Sequence, residues 1–142
     1  MSRIKSMLST NAPAATLLIR MAVGSVFLSE GIQKFLFPSD IGAGRFAKIG
    51  LPSPELLGPF VGTVEVICGS LVLLGLFTRF AAIPLIIIML VAITTTKLPI
   101  FHDRGFWAMA HESRTDFAML MGSLYLLLVG AGRASVDANL KG

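Results

Sequence analysis

The sequence predicts an all-α protein: a transmembrane four-helix bundle, up-down and antiparallel, forming one membrane domain over residues 1–142. Three observations carry that expectation. Hydrophobic residues make up 54% of the chain and charged residues only 14%, against about 25% charged in ordinary soluble domains. A soluble bundle needs polar outer faces on its helices, and there are too few charges to build them. The mean hydropathy of +0.80 agrees, and four segments each supply the roughly 20 predominantly apolar residues that a span requires.

The first span is predicted over 14–37, stopping at Pro38. Arg3 and Lys5 precede it in the manner of a signal peptide. Arg20 interrupts the apolar run, however, and Ser29-Glu30-Gly31 makes a poor cleavage site, so the segment reads as a retained helix. The second, over 54–77, opens at Ser53-Pro54-Glu55, which offers an N-cap, a proline at the first helical position and an early acid. Gly75 and Thr78 mark a tight turn into the third span, over 79–97, in which Pro84 predicts a kink. The fourth runs over 114–132 and carries no charge from Phe117 to Gly132. Pro38 to Pro52 and Leu98 to Glu112 are predicted as polar loops on one side, with both termini on the other. Gly24 and Gly31, Gly62 and Gly69, and the Gly58-x-x-x-Gly62 pattern favour close helix packing within the bundle, with a homo-oligomer contact as the alternative use.

Ionisable residues inside these apolar segments are the unusual feature. A charge at a helix centre costs about 2.5–3.5 kcal/mol on insertion scales, so such residues face the bundle interior and pair. The residues concerned are Arg20, Glu30, Lys34, Glu65, Lys97, Arg114 and Asp116. Glu65 sits near the middle of its segment and needs a partner, or else is a neutral acid able to exchange a proton. Glu30 and Lys34 are four apart, in the favourable order for a pair on one helix face. In an up-down bundle, Glu30, Lys34, Lys97, Arg114 and Asp116 gather on the loop side with Glu65 beneath them. Arg20 lies towards the other side, snorkelling to that interface or reaching inward towards Glu65. Asp116 also completes Ser113-x-x-Asp116, a capping box, and Lys97 and Arg114 also fit the headgroup boundary.

Other chemistry is excluded. The twelve Lys and Arg residues are scattered singly, without interleaved aromatics, so no nucleic-acid surface is expected. A lone cysteine, Cys68, forms no internal disulfide or dithiol pair. There is no Cys-x-x-Cys, no helix-borne histidine pair for a haem and no glycine-rich nucleotide loop, so no intrinsic cofactor is expected. His102 and His111 read as exposed loop residues and not as metal ligands.

Three stretches together resemble one family. Phe27-Leu28-Ser29-Glu30-Gly31-Ile32-Gln33-Lys34-Phe35 is similar to the first-helix signature of the DoxX family. Val64-Glu65-Val66 with Gly69, and then Leu73 to Arg79, resembles its second helix and turn; Gly130 to Asp137 resembles the close of its last helix. The resemblance covers Leu17 to Leu140. It implies a four-helix protein of the bacterial inner membrane, linked to thiosulfate:quinone oxidoreductase or to membrane oxidoreductase complexes handling thiol stress. This chain has Glu30 where relatives often have His, and Asp116 where they often have Glu.

Two functions are carried forward. One is a membrane subunit or accessory of an oxidoreductase system, with a buried polar pocket for a quinone or similar small ligand. In that reading Glu65 is the proton-exchanging or hydrogen-bonding group, Glu30, Lys34, Lys97, Arg114 and Asp116 line the mouth, and Trp107 covers it. The other is a non-catalytic membrane scaffold or small-solute carrier. The expected surroundings are the lipid bilayer, oxidoreductase subunits and further copies of the chain, with both termini cytoplasmic.

Overall fold

The computed structural model describes residues 2–141, and the chain is all-α, with no strand among the described residues. The helices are α1 (Ser2–Leu8), α2 (Thr16–Leu36), α3 (Ala43–Lys48), α4 (Pro54–Leu74), α5 (Thr78–Ala92), α6 (Leu98–Arg104), α7 (Phe106–Glu112), α8 (Arg114–Val129) and α9 (Val136–Lys141). Both segments predicted as polar loops contain helix: α3 lies in the first, and the second is occupied by α6 and α7.

Between α5 and α6 the chain passes through a π turn, Ile93–Lys97, without a break. The result is one rod, Thr78–Arg104, of 27 residues. It runs through Pro84; its irregular turn lies further on, for a local reason. Pro99 lacks an N–H, and its ring crowds the carbonyl of the residue four before it. The Thr94, Thr95 and Thr96 hydroxyls meanwhile bond back to the Leu90, Val91 and Ala92 carbonyls. Back-bonding hydroxyls and an approaching proline together widen the helix into a π turn.

The α4–α5 turn shows how sequence and tertiary contacts share one task. Helix α4 starts with Pro54 at its first position. Ser53 does not cap it as predicted: its backbone is left-handed, with φ 45°, and its carbonyl receives the Leu56 and Leu57 N–H groups instead. At the other end Gly75 adopts φ 71°, and the Leu76 N–H returns to the Leu71 carbonyl, a Schellman-type ending. Phe77 is also left-handed, at φ 49°. That unfavourable conformation is held by Asp137 from α9, whose two carboxylate oxygens accept the Phe77 and Thr78 N–H groups at 2.8 and 3.2 Å. Asp137 is thus the N-cap of a helix some sixty residues upstream.

Helices α4 and Thr78–Arg104 are each long and apolar enough to cross a membrane, with mean hydropathies of 1.9 and 2.1 over their best windows. Only 33% and 17% of those windows are buried inside the protein. A soluble core helix would hide most of its apolar surface; these present it outward, including Leu56, Ile67 and Ile83. Helix α2 matches α4 in length at 21 residues but carries Arg20, Glu30 and Lys34, and α8 is shorter, at 16 residues.

Helices α2 and α4 pack intimately and antiparallel, with Gly24 against Gly69 and Leu73, and Gly31 against Gly62. A Cβ placed on Gly31 would lie 2.8 Å from the Gly62 carbonyl oxygen and 2.9 Å from the Glu65 Cβ. Lipid offers no hydrophobic drive between helices, so close backbone approach of this kind carries the association. Helix α8 packs against α5 and, through Gly122 on Val23, against α2. Val23, Phe27, Cys68, Val72, Ala81, Ala82, Leu85, Met119 and Leu126 form a shared apolar core.

Polar groups lock the end of the structure that holds the α4–α5 turn. Arg20 is buried there and donates to the carbonyls of Val72, Leu73, Ala131 and Ala134, at 3.0, 2.9, 3.1 and 2.6 Å. It neither snorkels nor reaches Glu65. Its guanidinium instead satisfies carbonyls at the C-terminal end of α4 and beyond the end of α8, where intrahelical donors run short. Arg79 does the same for Leu127, Leu128 and Ser9. Helices α1 and α9 meet at this end.

Candidate functional site

The opposite end is built differently. Glu65 is buried on α4, and Lys34 reaches it from α2, with Nζ 2.9 Å from Oε1. The sequence spacing suggested Glu30 as the partner of Lys34; the structure gives Lys34 to Glu65. Gly31 and Gly62 explain the choice, because their missing side chains bring α4 close enough for the lysine to cross between helices. A charge buried this far is tolerable only with such a partner, and removing one member of a buried pair typically costs about 3–5 kcal/mol.

A second ion pair joins the other two long helices. Lys97, at the end of the π turn, lies with Nζ 3.5 Å from an Asp116 carboxylate oxygen on α8. Asp116 therefore has a tertiary partner, and the predicted capping box is not formed. Ser113 makes no side-chain cap; its hydroxyl donates to the Met109 carbonyl at 2.7 Å.

Between the two pairs lies a cavity of about 630 Å³. Lys34, Glu65 and Glu30 line it from α2 and α4, and Lys97, Asp116, Thr95 and Thr96 line it from the facing elements. Phe27 and Met119, also members of the apolar core, contribute to its wall. Phe46, Ile49 and Leu51 border it from α3 and the residues after it. Five of the seven predicted site residues are therefore brought to one cavity. Arg20 is committed to the clamp at the other end. Arg114 is exposed, and its Nη1 donates to the His111 carbonyl at 2.6 Å. Trp107 does not cover the cavity; it is 82% exposed and packs edge-on against Phe106.

Sequence reasoning missed several polar lining residues, among them Arg45, Glu112, Thr95 and Thr96. Arg45 and Glu112 lay in segments read as loops, and only their helical folding turns them to the cavity. Thr95 and Thr96 did leave a signal, a run of three consecutive threonines next to a lysine in an otherwise apolar segment.

Chemically, the cavity offers ammonium donors held by carboxylates, threonine hydroxyl oxygens and broad apolar walls. Such a mixture suits a ligand with a polar head and an apolar body.

Comparison with known proteins agrees with the fold. The DoxX family model matches residues 15–98. This chain belongs to the DoxX family. The matched segment includes Arg20, Glu30, Lys34, Glu65 and Lys97, whereas Arg114 and Asp116 lie beyond it. A relative described as "Uncharacterized membrane protein Rv3486", from Mycobacterium tuberculosis, is 49% identical over 140 residues, covering 94% of this chain and 86% of its own length. A second relative, named "Putative oxidoreductase CatD", from Bacillus subtilis, is 31% identical over 124 residues, covering 86% of this chain and 84% of its own. No solved structure matches the chain. The DoxX relationship makes this chain a membrane protein, in keeping with its two long apolar helices.

Proposed function

We propose that this DoxX protein is a membrane subunit or accessory of an oxidoreductase system, and that its polar cavity holds a quinone-like ligand. The observation that carries the proposal is the buried Lys34–Glu65 pair at the wall of a cavity of about 630 Å³. A buried ion pair is often no more stabilising than apolar residues of the same size, so a pair retained beside an open cavity points to use. The likeness to a relative named as an oxidoreductase supports the same direction.

In this reading the four long helices form an up-down transmembrane bundle in one membrane domain. The α2–α4, α4–α5, α5–α8 and α2–α8 contacts and the meeting of α1 with α9 support it. The protein is then multi-pass in the bacterial inner membrane, with both termini cytoplasmic. A bound quinone supplies a two-electron, two-proton acceptor. The chain's own residues bind and orient it: Lys34 donates to a ring oxygen, Glu65 keeps the lysine in place, and Phe27, Phe60 and Met119 flank the apolar part.

The test is purification from native membranes, with mass spectrometry of co-purifying lipids, quinones and subunits, for the parent and for Glu65→Gln. Quinone and redox subunits with the parent, and loss of the quinone with Glu65→Gln, are the expected result. A preparation free of both would favour the alternative, a scaffold or small-solute carrier.

A further inference from the structure

The chain's formal charge of +4 is not spread evenly over the molecule. The end holding the α4–α5 turn has six cations, Arg3, Lys5, Arg20, Arg79, Arg133 and Lys141, and one carboxylate, Asp137, for a net +5. The cavity end has the other six cations with the remaining seven carboxylates, for a net −1. Counts of Lys and Arg alone are equal and hide the contrast. Arg20 and Arg79 are committed to backbone carbonyls, and Asp137 is buried on the Phe77 and Thr78 N–H groups. Arg3, Lys5 and Arg133 are exposed and form no ion pair among the described residues. They come from opposite ends of the sequence and are gathered at one end of the fold. Helix α1 meets α9, the Gly132 N–H donates to the Thr10 hydroxyl oxygen at 3.0 Å, and that hydroxyl donates to the Val129 carbonyl at 2.7 Å. Two exposed apolar side chains share this end, Ile4 between Arg3 and Lys5 on α1, and Leu140 on α9.

We propose that this basic end is a binding surface for anionic phospholipid headgroups, with α1 lying in the bilayer interface. A helix that interleaves basic side chains with an exposed isoleucine suits that boundary, where charge meets phosphate and the apolar group enters the acyl region. Each Lys or Arg close to an anionic surface contributes about fivefold in affinity. An acidic soluble protein would match the charges but would leave Ile4 and Leu140 without the apolar layer that a bilayer supplies. The proposal rests on the transmembrane reading of the bundle and not on any ligand in the cavity.

The experiment uses tryptophan quenching by brominated lipid. Trp107 is the chain's only tryptophan and is exposed at the cavity end; Ile4→Trp combined with Trp107→Phe moves the reporter to the basic end, and Leu140→Trp replaces it there if that variant fails to fold. Each full chain is reconstituted in phosphatidylcholine vesicles holding a fixed share of dibrominated phosphatidylglycerol or, in parallel, dibrominated phosphatidylcholine. At the basic end the phosphatidylglycerol is expected to quench as though enriched about fivefold or more, and at Trp107 as though not enriched. Arg3→Gln, Lys5→Gln and Arg133→Gln together should abolish the enrichment, as should salt at about 1 M, where the Debye length falls to about 3 Å. The salt arm keeps the basic residues and so decides the matter if the triple variant does not fold. Equal quenching by the two lipids at the basic end, the same enrichment at Trp107, or enrichment that survives salt or the triple variant overturns the proposal. Absence of quenching by either lipid at both ends overturns the transmembrane reading with it.

Discussion

Replacing Arg20 by methionine tests whether the buried guanidinium is structural. Methionine keeps most of the apolar stem and removes all four donated hydrogen bonds, to Val72, Leu73, Ala131 and Ala134. Val72 retains one bond from the Gly75 N–H, so its carbonyl is not wholly orphaned. At about 1–1.5 kcal/mol per bond, the loss comes to about 4–6 kcal/mol. For a chain of this size that corresponds to a fall in Tm on the order of 10 °C. Arg20→Lys, with a point charge in place of a planar fork, should keep one or two of the bonds and fall between parent and methionine. The assay is already built into the chain. Cys68 is its only cysteine and is buried, so a thiol-reactive fluorogenic dye in detergent reports unfolding at a single site. A fall of less than about 3 °C for Arg20→Met would refute the clamp, because four bonds at helix ends cannot then have been contributing.

Two further outcomes follow from the packing at the other end. Lys34→Met alone should destabilise the protein by about 3–5 kcal/mol, because it leaves Glu65 buried without its cation, whereas Lys34→Met combined with Glu65→Leu should recover most of that loss; equal melting temperatures for the single and double variants would contradict the pairing. Gly31→Leu should abolish recovery of monodisperse protein, since even a Cβ there meets the Gly62 carbonyl and the Glu65 Cβ; a normal yield and elution profile on size-exclusion chromatography would show that α2 and α4 do not approach as closely as described.

The sequence and the structure agree most where a single chemical property governs. Scarcity of charge made the chain a membrane protein, and the predominance of apolar helical segments made it all-α. Glu65 stood out as a carboxylate in need of a partner because burial penalises any lone charge, whatever surrounds it. The identity of that partner was not legible. Glu30 is near Lys34 in sequence, but the lysine's reach across to α4 depends on the register of Gly31 against Gly62, a property of two helices and not of one. Arg20 was misread for a related reason: its partners are backbone carbonyls, which every residue has and no sequence advertises. The helical folding of Leu98–Arg104 was hidden by the polar residues His102, Asp103 and Arg104, which made the segment read as a loop although a helix beyond an apolar span tolerates them.

The capping of Thr78 by Asp137 also bears on the order in which the molecule is completed. The α4–α5 hairpin leaves the ribosome with its turn unfinished, since the carboxylate that holds Phe77 and Thr78 is not made until about sixty residues later. Until α9 arrives, the hairpin has an unsecured joint at the end where Arg20 and Arg79 also await their α8-side carbonyls. Helix α9 therefore closes the fold retroactively, through a carboxylate that accepts the N–H groups of Phe77 and Thr78.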